Sequence, residues 1–118
     1  MLTFEEAQIA LDDIADALPS EIFKGLNGSY VLTDETIFDN NGLCILGQYH
    51  VEPYGLGRYI TVHYGSILEA YGDISPRRFR RELKNILHHE LTHHLENLAG
   101  DRSLEIQDEL DKRNFFAH

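Results

Sequence analysis

The sequence predicts an α+β domain, on three observations: helical apolar spacing at the N-terminus, short β-branched and aromatic runs in the middle, and a long helical pattern beginning at Pro76. Helix, strands and helices follow one another in blocks rather than alternating, which argues against a repeated βαβ unit. At 118 residues, with 42% hydrophobic and 25% charged residues, the chain fits one domain over 1–118 with a single core.

The first helix lies in "TFEEAQIALDDIADALP", where Phe4, Ala7, Ile9, Leu11, Ile14 and Leu18 recur at mostly helical spacing. Thr3 is its N-cap, Glu6 completes a capping box, and Pro19 ends it. Three strands follow at "SYVLTD", "GLCILGQYHV" and "RYITVHY", separated by turn material such as "DNNG" and "EPYGLG". "GSILEAYG" predicts a short helix closed by Gly72. The long helix then runs from about Pro76 to Ala99, with Ser75 as N-cap, Pro76 in its first turn and Gly100 as C-cap. Beyond it, "DRSLEIQDELDKRN" predicts a further helix with Asp101 as N-cap, and "FFAH" is a tail.

Composition removes several function classes. No apolar run approaches the about 18 residues of a spanning helix, and "MLTFEEAQIA" has neither the basic start nor the apolar stretch of a signal peptide. A cytoplasmic location and no membrane partner are expected. Cys44 is the only cysteine, so intrachain disulfides and thiolate clusters are excluded, and a free buried thiol is its expected state. The net charge of −10 argues against nucleic acid, whose phosphates are bound through Lys and Arg. Arg77, Arg78, Arg80, Arg81 and Lys84 form a local basic run, expected to be a solvated helix face.

Four of the seven histidines fall between His88 and His94. On a helical wheel with His89 at zero, His93 falls at about 40°, His94 at about 140° and His88 at about 260°, while the apolar stripe centres on about 150°. His94 therefore belongs to the packed face, where it needs a hydrogen-bond partner. His88 belongs to the surface or supports a ligand from behind. His89 and His93, one turn apart, can aim two ring nitrogens at a single ion.

Glu90 stands between those two histidines in the string HELTH, an instance of HExxH. The spacing suits Zn2+: two imidazoles hold the metal, and the adjacent carboxylate reaches the metal-bound water to act as general base. A third protein ligand is then required. Glu96 faces the right way but lies about 10 Å of helix rise from His89, so the ligand is expected beyond Gly100. Asp101, Glu105, Asp108 and Glu109 are candidates there. An antiparallel return favours Glu105, with Asp108 as a supporting acceptor or alternative ligand and Asp101 more naturally the cap.

With "HHELTHHLENLAG" preceded by "GQYHVEPYGLGRYITVHYGSILEAYG", most of the chain resembles the small bacterial zincin-like metallopeptidase family. The resemblance implies a minimal zincin-like fold: an N-terminal helix, a small mixed sheet of three or four strands, the HExxH helix and a following C-terminal helix. It also implies a zinc-dependent hydrolase, with His89, Glu90 and His93 matching the motif and His94 the second histidine of its HH pair. Many members resemble HExxHxxGxxD, whereas Glu96 and Ala99 occupy the glycine and aspartate places here. The arrangement looks closer to a gluzincin, which supports Glu105.

The leading expectation is therefore a zinc metallopeptidase acting on a peptide or protein substrate. Tyr49, Tyr54, Tyr64, His50 and His63 are available to stabilise the oxyanion. The alternative is a catalytically weak or inactive metal-stabilised protein-binding module. A metal-dependent endoribonuclease with three histidines is disfavoured by Ala99 and by the charge.

Overall fold

A computed structural model describes residues 1–100 of the chain. The predicted helix after Gly100, the "FFAH" tail, and Asp101, Glu105, Asp108 and Glu109 lie outside the described residues.

Helix α1 spans Phe4–Asp16. Its capping box is present: Thr3 Oγ1 accepts from the Glu6 N–H at 3.2 Å, and Glu6 Oε1 accepts from the Thr3 N–H at 2.9 Å. The helix stops before Pro19, with Ala17 as its C-cap, and Ser20–Phe23 form a single 3-10 turn that the apolar spacing does not predict. The buried side is Ala7, Ala10, Leu11 and Ala15. Ile9, expected on the apolar face, is instead 60% exposed, because it lies two positions from both Ala7 and Leu11 and so points away from the packed stripe.

Strands β1 (Tyr30–Thr33), β2 (Gly47–Glu52) and β3 (Gly57–His63) form a mixed sheet in the order β1-β3-β2. β1 runs parallel to β3, with Tyr30 opposite Ile60, and β2 antiparallel, with Gly47 opposite Val62. The central strand is thus last in sequence, and β2 is an edge strand. The expected strand "GLCILGQYHV" is divided: only Gly47–Glu52 joins the ladder as β2, while Cys44 makes an isolated bridge to Phe38. Among the described residues the sheet has three strands.

β3 leads directly into α2 (Tyr64–Tyr71), which closes at Gly72 with φ 68°, a conformation that favours glycine. Helix α3 spans Pro76–Gly100, so it takes in the glycine expected as its cap. Ser75 Oγ caps its start by accepting from the Arg78 N–H at 3.1 Å.

α3 crosses one face of the sheet and packs against α1. Alternation along the strands assigns Gly47, Tyr49, Ile60, Val62 and Leu32 to that inner face, and Gln48, His50, Thr61 and His63 to the outer one. The core between them holds Leu11, Ile60, Val62, Ile67, Phe79, Leu83 and Leu87, all fully buried. Each such side chain contributes about 1.5–3 kcal/mol by leaving water. Among the described residues, no helix is long and apolar enough to cross a membrane.

Candidate metal and catalytic site

α3 sets His89 and His93 on one flank, because residues four apart are neighbours on a helix surface, and His89 and Glu90 lie at one end of a cleft. The two rings stand edge to face, with centroids 4.7 Å apart and planes at 88°. Their Nε2 atoms are 3.2 Å apart. Two ligand atoms bound to zinc at 2.0–2.1 Å in a tetrahedron are roughly 3.3 Å apart, so the separation of the pair matches that of two zinc ligands. The contact is a hydrogen bond in which one ring donates to the other. His89 is exposed and His93 is 7% exposed, so the pair has one ring in solvent and one in the protein.

Glu90 is only 4% exposed. Burial pushes its carboxyl up to about 8, since the charged form loses water without gaining a positive neighbour. The helix comes this close to the sheet because residue 47 is glycine: a Cβ there would lie 2.6 Å from Ile86 Cγ2 and 3.4 Å from Glu90 Cγ. Gly47 is not among the residues that the sequence singles out. The available signal is a glycine inside a strand pattern, which marks close approach of another element.

The cleft has a volume of about 250 Å³ and lies between α3 and residues 44–47. Ile86, His89 and Glu90 line it from the helix, and Cys44, Leu46 and Gly47 from the other side. Glu82 and Asn85 continue it toward the N-terminal end of α3. Cys44 is half-buried on the wall of this cleft, rather than lodged in the core as expected.

The other histidines sort as their wheel positions require. His94 is fully buried, its Nε2 donating to the Lys24 carbonyl at 2.8 Å and its Nδ1 accepting from the Tyr49 hydroxyl at 2.8 Å. Burial lowers its pKa, in keeping with that neutral tautomer. His88 is exposed on the surface, and its backbone carbonyl accepts from Thr92 Oγ1 at 2.9 Å.

None of the five residues considered for an oxyanion role lines the cleft. Tyr49 is engaged by His94, and the Tyr64 hydroxyl donates to the Leu2 carbonyl at 2.7 Å. Tyr54 is fully exposed in the β2–β3 turn. His50 and His63 both contact Thr61 Oγ1, at 2.8 and 3.3 Å, on the outer face of the sheet.

Among the described residues, no group of three His, Cys, Asp or Glu side chains is placed to hold a metal. His89 and His93 present two convergent ring nitrogens, and each candidate for a third ligand lies outside the described residues.

No protein-family model matches the chain, and no curated protein matches it. Among solved structures, the chain is similar to a conserved hypothetical protein from Thermus thermophilus, with a TM-score of 0.71 and 29% identity over 84% of this chain and 99% of that one. The likeness supports the α+β fold. That neighbour's description names no activity.

Proposed function

We propose that the chain is a zinc-dependent metallopeptidase that hydrolyses peptide bonds on a minimal zincin-like fold. The observation that carries this reading is the pairing of two imidazole Nε2 atoms 3.2 Å apart with a buried carboxyl from the intervening Glu90, with His89 and Glu90 opening on one cleft. A helix using these residues only for packing has no need to bury a carboxyl beside two convergent imidazoles.

His89 and His93 would hold the metal, with Glu105 as third ligand and Asp108 or Asp101 as the alternatives. When bound, zinc supplies a Lewis acid that acidifies water and polarises the scissile carbonyl. Glu90 takes a proton from the attacking water and passes it to the departing amine nitrogen. An extended peptide would lie along β2, which among the described residues pairs with β3 alone and leaves its other edge for main-chain hydrogen bonds.

The test is zinc analysis of the purified protein together with a peptide-cleavage assay with and without chelator. One zinc per chain and chelator-sensitive cleavage are expected. Glu90→Gln should keep the metal and lower kcat/KM by about 10²- to 10⁴-fold. His89→Ala and His93→Ala should each lose the metal, as should Glu105→Ala in preference to Asp101→Ala or Asp108→Ala. Cleavage by Glu90→Gln at the wild-type rate would overturn the mechanism. Zinc without cleavage would favour a metal-stabilised binding module.

A further inference from the structure

We propose that two copies of this chain pair through their helices, the acidic outward face of α1 on each copy lying against the basic outward face of α3 on the other. The pairing stands apart from the metallopeptidase reading, because it uses neither the cleft nor a metal.

The two faces match in spacing and oppose in charge. On α3, Arg77, Arg81, Lys84 and His88 follow steps of four, three and four residues, and all are exposed. On α1, Glu5, Ile9, Asp12 and Asp16 follow the same steps and are likewise exposed. Such steps keep side chains on one stripe of a helix, and the rise per residue makes each stripe about 16 Å long. α1 contains no Lys or Arg, while residues 77–84 hold five of the ten in the chain. Asp12 is set in place by Tyr30 Oη and Gln8 Nε2, which donate to its Oδ1 at 2.8 and 3.2 Å.

Both stripes are costly in a single copy. Among the described residues, no ion pair joins Arg77, Arg81 or Lys84 to a carboxylate. Arg77 stands in the first turn of α3 with no acidic residue there to offset it, and Asp16 ends α1 with no basic residue in the last turn. Each charge therefore opposes the dipole of its own helix. Contact between the stripes relieves both at once.

The fold presents the stripes so that one rotation joins them. α1 and α3 pack side by side and bury Ala7, Leu11, Phe79 and Leu83 in the core, which leaves both outward faces on one side of the molecule. The helices run in the same direction. At their starts the Met1 amino group donates to Asp73 Oδ1 at 3.1 Å, and the Tyr64 ring touches both Phe4 and Phe79, at 5.5 and 5.7 Å. Past the end of α1, the Lys24 carbonyl accepts from His94. A two-fold rotation about an axis parallel to both helices and midway between them lays α1 of each copy over α3 of the other without changing their relative level. Glu5 then meets Arg77 and Arg81, Asp12 meets Lys84, and Asp16 meets His88. Ile9, 60% exposed in the single chain, is covered by the methylene stems of Arg81 and Lys84. Two-fold symmetry makes every contact twice. The cleft stays open, because Glu82, Ile86 and His89 lie more than about 90° around α3 from the centre of the basic stripe.

The test is sedimentation equilibrium of the purified full chain, from micromolar to millimolar concentration. At about 0.15 M salt the Debye length of about 8 Å screens repulsion between two chains of charge −10 but spares contacts a few ångströms long. A dimer is expected there, and its dissociation constant should rise at least about 10-fold at about 1 M salt, where that length is about 3 Å. Arg77→Glu/Arg81→Glu/Lys84→Glu and Glu5→Lys/Asp16→Lys should each weaken the dimer at least about 10-fold. An equimolar mixture of those two variants should form a one-to-one dimer again, since natural faces meet natural and reversed meet reversed. Arg78→Glu, the same charge change off the stripe, should act far more weakly than Arg81→Glu. A wild-type chain that is monomeric throughout, a dimer indifferent to both reversals, or equal effects at Arg78 and Arg81 would overturn the pairing. Monomers that bind a poly-glutamate peptide through Arg81 and Lys84 would give the stripe to an acidic partner instead and overturn it too.

Discussion

Tyr49 on β2 and His94 on α3 are joined through Oη and Nδ1 at 2.8 Å, and the far side of the same ring is held by the Lys24 carbonyl at 2.8 Å. The ring ties the edge strand, the HExxH helix and the loop after the 3-10 turn into one unit. Asn97 joins the network at 3.5 Å from Tyr49 Oη and accepts from Arg58 Nε at 2.9 Å. The residue that neighbours His93 in sequence is thereby fixed in rotation, and the helix register that aims the His89 and His93 rings is fixed with it.

Tyr49→Phe removes the donor from a fully buried ring nitrogen and should destabilise the protein by about 1–3 kcal/mol. Urea unfolding of the metal-free protein measures this directly. A stability equal to wild type would show that His94 Nδ1 does not depend on Tyr49.

Gly47→Ala should be destabilising by about 1–3 kcal/mol, as overpacked sites are, because its methyl would meet Ile86 Cγ2 at 2.6 Å with the Thr61 carbonyl at 3.3 Å behind it. Combining it with Ile86→Ala should restore part of that loss. Thermal unfolding of the two single variants and the double variant reads the coupling, and strict additivity would mean that the two side chains do not compete for one space.

His63 gives the acid limb of stability a specific source. It is 2% exposed, and burial lowers its pKa, with Glu35 opposing the shift and His50 adding to it. A histidine with a depressed folded pKa contributes its stability above the unfolded value, about 6.5, and that contribution is lost as pH falls through the folded value. Chemical unfolding between about pH 8 and pH 5 should show a decline that is smaller in His63→Gln. Equal slopes in the two proteins would assign the decline elsewhere.

The capping box at Thr3 and Glu6, the Ser75 cap, the Gly72 stop and the inward turn of His94 are all legible in the chain, since each depends on spacing within one or two turns of backbone. The arch at 37–45 is not. Its "DNNG" turn is readable, but Gly42–Ile45 read as the start of β2, and they are bent away from it by bonds to Ile37, itself held by Ser66, outside that run. Ile9 departs from its expected place for a similar reason: its apolar character fits a helix face, but packing against α3 selects the narrower stripe through Ala7, Ala10, Leu11 and Ala15.

Local chemistry was enough to set the α+β class, the positions of α1, α2 and α3, and the HExxH pair, because helical periodicity places His89 and His93 on one flank whatever surrounds them. Packing decided the rest. The strand order β1-β3-β2, the burial that raises Glu90, and the cleft admitted by Gly47 all depend on residues that meet only when sheet and helix are brought together. Such contacts leave no period in the sequence, so the sequence names the chemical groups and the fold sets the environment in which they act.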